Sequence, residues 1–563
     1  MHDLSQFKQD IAKLRELSLQ SPSFDIHVEE QALLQKYGKS RRGRKFQTND
    51  TLADLYGLLV KEEEASSVYT PPELAMELFL KTEEVMKRDP LILDCSSGTG
   101  NLARLFLEKG YRTQLMDRDE TALSLAKLTC PEAVIRQEDY LMSEGTYDVI
   151  IGNPPYKGHK STTLEETAAL KKRFPEVMDN KADLYYAFFA KGHEDLKAGG
   201  ILSFIVSRYW LEAESAASLR RFILTNFTIL YMHDWYGIRP FGAGVDPLLI
   251  VLKKQPMRSA MAPISVSEDL QAIEALWAGA IEAGRQGKDE KTGGEDQLSF
   301  ASGADPGHSM DYEIPVIRED AGAFVISRSQ LSESSMKILT GKEQKLREII
   351  EKLTDHRLGE LGDFSQGIIT GFDRAFIMPI DEALRLGIEE EILVPWAKSS
   401  DLKHLDREAA WNELDRLIYA DKSAAECPGF MNYIERHRER LSGRREVKNG
   451  LRAFHELQWG RDRRTFEAER ILFPYKAAGS QFVIAKGIYH SADIYSFRTK
   501  LDSAWLIEIL NSHLYDSYIK TELKKLGGAL YEYYPHRLKK IRIPDPARFP
   551  DAGEYLRTIE REL

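Results

Sequence analysis

Residues 147–159, YDVIIGNPPYKGH, place an asparagine, two prolines and a tyrosine at the end of a β-branched run. An amide both accepts and donates hydrogen bonds, proline fixes the backbone and removes a donor, and a tyrosine ring offers a face for stacking. Asn153, Pro154, Pro155 and Tyr156 thus take the chain out of the sheet at the mouth of a strand, the plain alternative being a β-turn asparagine beside a surface tyrosine. A second set of reactive groups lies upstream. LILDCSSGTGNLA (91–103) reads as a strand, a glycine-bearing turn and a helix start, a unit in which backbone can approach a ligand closely. Asp94, Asp117 and Asp139 end three successive predicted strands. Asp117, in LMDRDE, can hold ribose hydroxyls, and Asp139, in QEDYL, falls near where an adenine amino group would lie. One such acid alone reads as a helix cap or turn former; three at one edge of a sheet read as a site. The turn is neither GxGxxG nor a Walker loop, since Gly98 and Gly100 are followed by Asn101, Leu102 and Ala103. That demotes dinucleotides and nucleoside triphosphates and leaves a nucleoside ligand without a long phosphate tail, which S-adenosylmethionine fits.

The elements that must position these groups follow a βαβ rhythm. Strands are predicted at 91–95, 112–117, 133–137, 147–152, 201–207 and 248–254, with helical runs such as NLARLFLEKG and ETALSLAKLT between them. This predicts a Rossmann-like α/β domain with a mostly parallel sheet over 59–256. Residues 1–58 read as an N-terminal helical region interrupted by KSRRGRK (39–45), either a phosphate-contacting arm or a solvated loop. A connecting region, 257–332, contains the Gly-, Ser- and charge-rich stretch 283–308, read as a mobile loop. Helices mixed with short aromatic strands then predict a separate α+β domain over 333–563.

Composition narrows the partners. At 42% hydrophobic and 29% charged, the 563 residues describe an ordinary soluble protein. No apolar run reaches the ~18 residues of a membrane span and the N-terminus has no signal-peptide core, so a cytoplasmic location and no membrane partner are expected. Cys95, Cys130 and Cys427 are scattered without a CxxC pair, so neither a disulfide framework nor a metal site is expected. The net charge of −11 argues against a nucleic-acid partner until its distribution is considered. Residues 431–476 hold 12 Lys and Arg against 7 Asp and Glu, and residues 520–542 hold 7 against 2, a local +5 in each. In the first, basic residues interleave with Phe454, Trp459 and Phe466; Arg444, Arg445, Lys448, Arg452, Trp459, Arg461, Lys476, Lys524 and Lys525 are the candidate DNA contacts, with solvated faces as the plain alternative.

Several stretches carry a family resemblance: VYTPPELAMELF, LILDCSSGTGNLA, LMDRDETAL, EDYL, VIIGNPPY and the block KADLYYAFFAKGHEDLKAGGILSFIVSRYWL. In order and spacing they resemble the γ-type, TaqI-like N6-adenine DNA methyltransferases, and FSQGIITGFDRAFIM, ELQWGR, RILFPYKA, SADIYSF and YEYYPHRLKKIRI resemble that family's target-recognition domain, most closely in its clostridial orphan branch. The likeness spans about 60 to 545. It implies a class I methyltransferase domain, S-adenosylmethionine as cofactor and double-stranded DNA as partner. Residue by residue it implies that Tyr69, Thr70 and Pro71 line the methionine end, that Asp94 meets the methionine amino group with Ser96 and Gly98 lending backbone, that Asp117 holds the ribose, and that Asp139 and Tyr140 hold the adenine. Cys-Ser-Ser after Asp94 departs from the Pro-Ala-Cys frequent in relatives.

Under that resemblance the NPPY residues act on an exocyclic adenine N6, a poor nucleophile because its lone pair is delocalised into the ring. The Asn153 side-chain oxygen and the Pro154 carbonyl each accept one N6–H, while Tyr156 stacks on a base flipped out of the duplex. Phe241, in IRPFGAGVD, is the candidate second wall of that pocket, or a core phenylalanine at a strand entrance. No nuclease or helicase motif is legible, so the chain reads as a stand-alone monomeric methyltransferase, orphan or paired with a separately encoded endonuclease, acting at an asymmetric site. Two rival readings are methylation of a protein glutamine amide, which also uses NPPY but lacks a large basic C-terminal domain, and a non-catalytic DNA-binding regulator.

Overall fold

The computed structural model describes residues 6–14, 33–34, 36–37, 56, 70–156, 163–179, 182–239, 246–255, 311–405 and 413–563. The chain divides into two units, with the boundary between Thr340 and Gly341.

The first unit is built on a nine-stranded sheet in the order β3-β2-β1-β4-β5-β7-β6-β8-β9. Its strands are β1 (Leu91–Asp94), β2 (Arg112–Asp117), β3 (Val134–Gln137), β4 (Tyr147–Gly152), β5 (Leu196–Ser207), β6 (Phe227–Asp234), β7 (Pro247–Lys254), β8 (Glu313–Arg318) and β9 (Gly322–Ser327). β3, β2, β1, β4 and β5 run parallel, and β7 inserts antiparallel between β5 and β6. The central strands are covered on both faces, which is why Ile92, Leu93, Val149, Ile150, Ile151, Leu202, Phe204 and Ile205 form near-continuous apolar runs rather than alternating ones.

Helices of this unit include α1 (Pro72–Glu83), α2 (Asn101–Glu108), α3 (Glu120–Thr129), α4 (Leu164–Arg173), α5 (Tyr185–Asp195) and α6 (Ala217–Asn226). α1 opens on a proline at its first position, where a missing N–H costs nothing. α3 is capped by Asp119, and α4 by a Thr163–Glu166 capping box. α5 is buried nearly all round, consistent with its apolar YYAFFA run. Residues 6–14 are helical, and Phe7, Ile11, Leu14, Leu34, Tyr37 and Tyr56 pack in one cluster with Ala122 and Leu125 of α3. KSRRGRK and residues 283–308 lie outside the described residues.

Two differences from the sequence reading stand out. β6 was not among the expected strands. The region read as a connection from 257 ends instead as two strands of the same sheet: β8 pairs parallel with β6 and antiparallel with β9, burying Ile314, Val316 and Ile326.

The second unit is α+β, with short strands. Gly362–Gln366, Ile494–Thr499, Arg470–Pro474 and Val483–Ala485 form an antiparallel sheet, and Ile377–Met378, Arg416–Ile418, Leu393–Ala397 and Tyr489–His490 form a mixed one, its last pair parallel. The helix Gly341–Leu353 contacts His513–Glu522, and Ser503–Leu510 contacts Ala552–Glu562. Among the described residues no helix is long and apolar enough to cross a membrane.

Candidate active site

The turn after β1 lets the backbone fold over the C-terminal edge of the sheet. Gly98 and Gly100 have φ of 50° and 87°, the left-handed region that glycine enters without strain. In that conformation the Gly98 N–H donates to Asp117 Oδ2 at 2.8 Å, joining the ends of β1 and β2. Asn101, the first residue of α2, donates from Nδ2 to the Thr70 carbonyl at 3.2 Å, which fixes the entry to α1. β4 ends at Gly152, where a Cβ would stand 2.8 Å from Cys95 Sγ and 3.0 Å from Ser96 Oγ. A glycine there lets the strand end pass against the turn and delivers Asn153 to the same edge.

These elements surround a cavity lined by Thr70, Cys95, Ser96, Ser97, Gly98, Thr99, Asn101, Leu102, Asp117, Arg118, Asp119, Ala122, Glu138, Asp139, Tyr140, Phe188 and the four residues Asn153–Tyr156. Four carboxylates against one guanidinium make it a cation-seeking cavity and a poor seat for phosphates. Asp94, expected in the site, is wholly buried and not among the lining residues, and neither of its carboxylate oxygens has a hydrogen-bond partner of normal geometry. Burial pushes its pKa up to about 8, with the nearby Asp117 charge adding to the rise; the Ser96 and Ala103 amides lie near enough only to oppose it. Burial likewise raises the Asp117 carboxyl.

Asn153 is buried and held at both ends of its amide. Nδ2 donates to Thr70 Oγ1 at 3.1 Å, and Oδ1 accepts the Tyr156 hydroxyl at 2.6 Å. The Tyr156 hydroxyl also lies 3.2 Å from the Ile205 carbonyl, and its ring meets Tyr185 edge to face at 6.3 Å. Burial raises the Tyr156 phenol far above its usual range, so it stays a neutral donor.

Of the expected site residues, Thr70, Ser96, Gly98, Asp117, Asp139, Tyr140, Asn153, Pro154, Pro155 and Tyr156 come together around the cavity. Pro71 precedes α1 and is not in the lining. Tyr69 and Phe241 lie outside the described residues. Sequence reasoning missed Asp119, Glu138, Arg118 and Phe188. The first three flank expected acids in DRDE and QED, and Phe188 is one of several aromatics in an apolar run that only packing could single out.

The second unit sorts the candidate DNA contacts. Arg445, Lys448, Arg461 and Lys476 are exposed, Lys524 is half-buried, and Trp459 is 40% exposed with the Arg452 guanidinium 5.9 Å from its ring. Arg452 also reaches Glu456 at 3.4 Å. Arg461 adopts a φ of 61° and donates to the Gly367 carbonyl and to Gln366 Oε1. Two candidates are corrected. Arg444 donates to the carbonyls of Leu441, Thr370, Phe454 and Glu456, so its guanidinium is spent inside the fold. Lys525 is buried, donating to the Gly528 carbonyl over the Tyr531 ring. Phe466 belongs to the core, stacked on Tyr489.

A mostly parallel sheet with a glycine turn and acids at its C-terminal edge defines the first unit as a fold of the class I S-adenosylmethionine-dependent methyltransferase kind. Residues 107–241 match the family described as Eco57I restriction-modification methylase. The chain is 24% identical over 489 residues to the type II methyltransferase M.BstVI of Geobacillus stearothermophilus, covering 76% of each. It is 29% identical over 142 residues, 25% of this chain and 11% of the relative, to the adenine-specific methyltransferase BrxX of Escherichia coli O9:H4 (strain HS). Among solved structures, the type IIL restriction-modification enzyme MmeI in complex with DNA shares the fold, with a TM-score of 0.50 at 13% identity over 82% of this chain and 65% of that one. These similarities relate the chain to the type II restriction-modification methyltransferases.

Proposed function

We propose that the chain is a site-specific DNA methyltransferase that uses S-adenosylmethionine to methylate adenine N6. The observation that carries this reading is the Asn153 amide, locked between Thr70 and Tyr156 at the rim of an acid-rich cavity. The donor set fits the cofactor: Asp94 is an orphaned buried acid for an ammonium, Asp117 a carboxylate for ribose hydroxyls, and Asp139 with Tyr140 and Phe188 a wall for adenine. When bound, the cofactor supplies a methyl group on a sulfonium.

The protein's part is orientation. Asn153 Oδ1 and the Pro154 carbonyl accept the two N6–H bonds, turning the nitrogen lone pair towards the methyl group and stabilising the charge that develops on it. Tyr156 offers its ring to the flipped base while its hydroxyl keeps the amide from rotating. Arg445, Lys448, Arg461, Lys476 and Lys524 of the second unit contact phosphates, and Trp459 offers an apolar face. Similarity to the adenine-specific methyltransferase BrxX supports adenine over cytosine. A single catalytic unit beside a single, unrepeated second unit favours a monomer that modifies one strand of an asymmetric site. Single-molecule sequencing of DNA from cells with and without the gene tests base, strand and site together. N6-methyladenine on one strand of a non-palindromic sequence, lost with the gene, is expected; no gene-dependent mark, or one on cytosine, would overturn the reading.

A further inference from the structure

Asp119 follows β2 and serves two neighbours. Its Oδ1 accepts the Thr121 and Ala122 N–H groups at 2.9 and 3.2 Å, capping α3. Its own N–H donates to Asp117 Oδ1 at 3.0 Å, while Gly98 holds Asp117 Oδ2. Both aspartates line the cavity. The remaining oxygen, Asp119 Oδ2, accepts the Tyr56 hydroxyl from 63 residues upstream. Tyr56 is fully buried, its ring stacked on Phe7 at 5.8 Å within the cluster that rests on α3.

We propose that Tyr56 is a positioning residue for the cofactor site, fixing through Asp119 the carboxylate of Asp117 that meets the ribose. The proposal rests on the reading of this cavity as the S-adenosylmethionine site. With one oxygen in the helix cap and the other on Tyr56, the Asp119 carboxylate is held at both of its oxygens. The same lock fixes the backbone N–H that Asp117 Oδ1 accepts. The Tyr56 hydroxyl reaches the cavity through Asp119, so its loss should cost affinity for the nucleoside part of the ligand and spare the chemical step.

Tyr56→Phe removes the hydroxyl and keeps the ring in its cluster. Calorimetric titration of the full chain with S-adenosylmethionine, and separately with S-adenosylhomocysteine, should show Kd raised at least about tenfold for both, near the lower end of what losing a hydrogen bond to a charged group brings. The KM for S-adenosylmethionine should rise in step, with kcat at saturation and the Kd for duplex DNA within about twofold of wild type. A purely structural role would lower the melting temperature without this split. Should Tyr56→Phe fold poorly, Tyr56→Leu, which also lacks the hydroxyl and still fills the apolar cluster, addresses the same bond and should shift Kd in the same direction with kcat kept. A cofactor Kd within twofold of wild type in the folded variant, or a loss borne by kcat, overturns the proposal. If the wild-type chain itself binds no S-adenosylmethionine, the reading of the cavity fails instead, an outcome distinct from equal binding by wild type and variant.

Discussion

Replacing Asp94 by asparagine should make the ligand-free protein more stable while weakening its hold on the cofactor. Asp94 has a pKa pushed by burial from an ordinary 3.8 to about 8. Folding at neutral pH therefore forces it to keep a proton that the unfolded carboxyl has released. That stability contribution is complete below the unfolded pKa and is lost progressively as pH rises towards 8. Three pH units between the unfolded pKa and neutrality, at ~1.4 kcal/mol each, put the cost at ~4 kcal/mol near pH 7. Asparagine is neutral at every pH and avoids that cost, but its amide N–H groups lack partners in the same place, at ~1–3 kcal/mol. The net gain is ~2 kcal/mol, or roughly 3 °C in melting temperature at ~1.4 °C per kcal/mol for a unit running from Met1 to Thr340. Thermal melts near pH 8 and near pH 4.5 test it: Asp94→Asn should melt higher than wild type at the first and no higher at the second. Wild type should also release close to one proton on binding S-adenosylmethionine at neutral pH, as the arriving ammonium ionises Asp94, visible as a buffer-dependent binding enthalpy. A variant no more stable than wild type near pH 8, or one stabilised equally at both pH values, would refute the reasoning.

Asn153→Ala should lower kcat at least ~100-fold with the cofactor Kd within about threefold, since its contacts strengthen as charge develops on the reacting nitrogen; single-turnover assays read this directly. Gly152→Ala drives a methyl group to 2.8 Å from Cys95 Sγ and should cost ~1–3 kcal/mol in urea unfolding, with cofactor affinity reduced as the turn shifts. Arg444→Ala should destabilise the second unit by ~2–4 kcal/mol, because four carbonyls are left without their donor. Arg445→Glu with Lys448→Glu should leave the melting temperature nearly unchanged and lower the salt slope of DNA binding by ~2, one for each phosphate no longer neutralised.

Legibility followed sequence distance. The glycine turn, the three acids and NPPY are each local motifs at strand ends, so their gathering at one edge follows from parallel pairing alone. The bond from Asn153 to Thr70 spans 83 residues and that from Tyr56 to Asp119 spans 63; neither leaves a pattern in either segment. β6 ends in His233 and Asp234, polar groups that break the apolar run of FTILYMHD yet are buried, His233 between Glu77 and Glu319. β8 carries Pro315, a residue that argues against a strand inside a sheet. Arg444 shows the limit of charge counting. It adds to a basic stretch as Arg445 does, but only tertiary packing reveals that its guanidinium serves Thr370, 74 residues away.

The central claim is that the Asn153 amide directs methyl transfer to adenine N6 in duplex DNA. Purified chain incubated with methyl-labelled S-adenosylmethionine and unmethylated genomic duplex, followed by digestion to nucleosides and mass spectrometry, measures it. Label should appear in N6-methyldeoxyadenosine with wild type and fall to background with Asn153→Ala. Label in a cytosine derivative, in protein, or in neither product would contradict it.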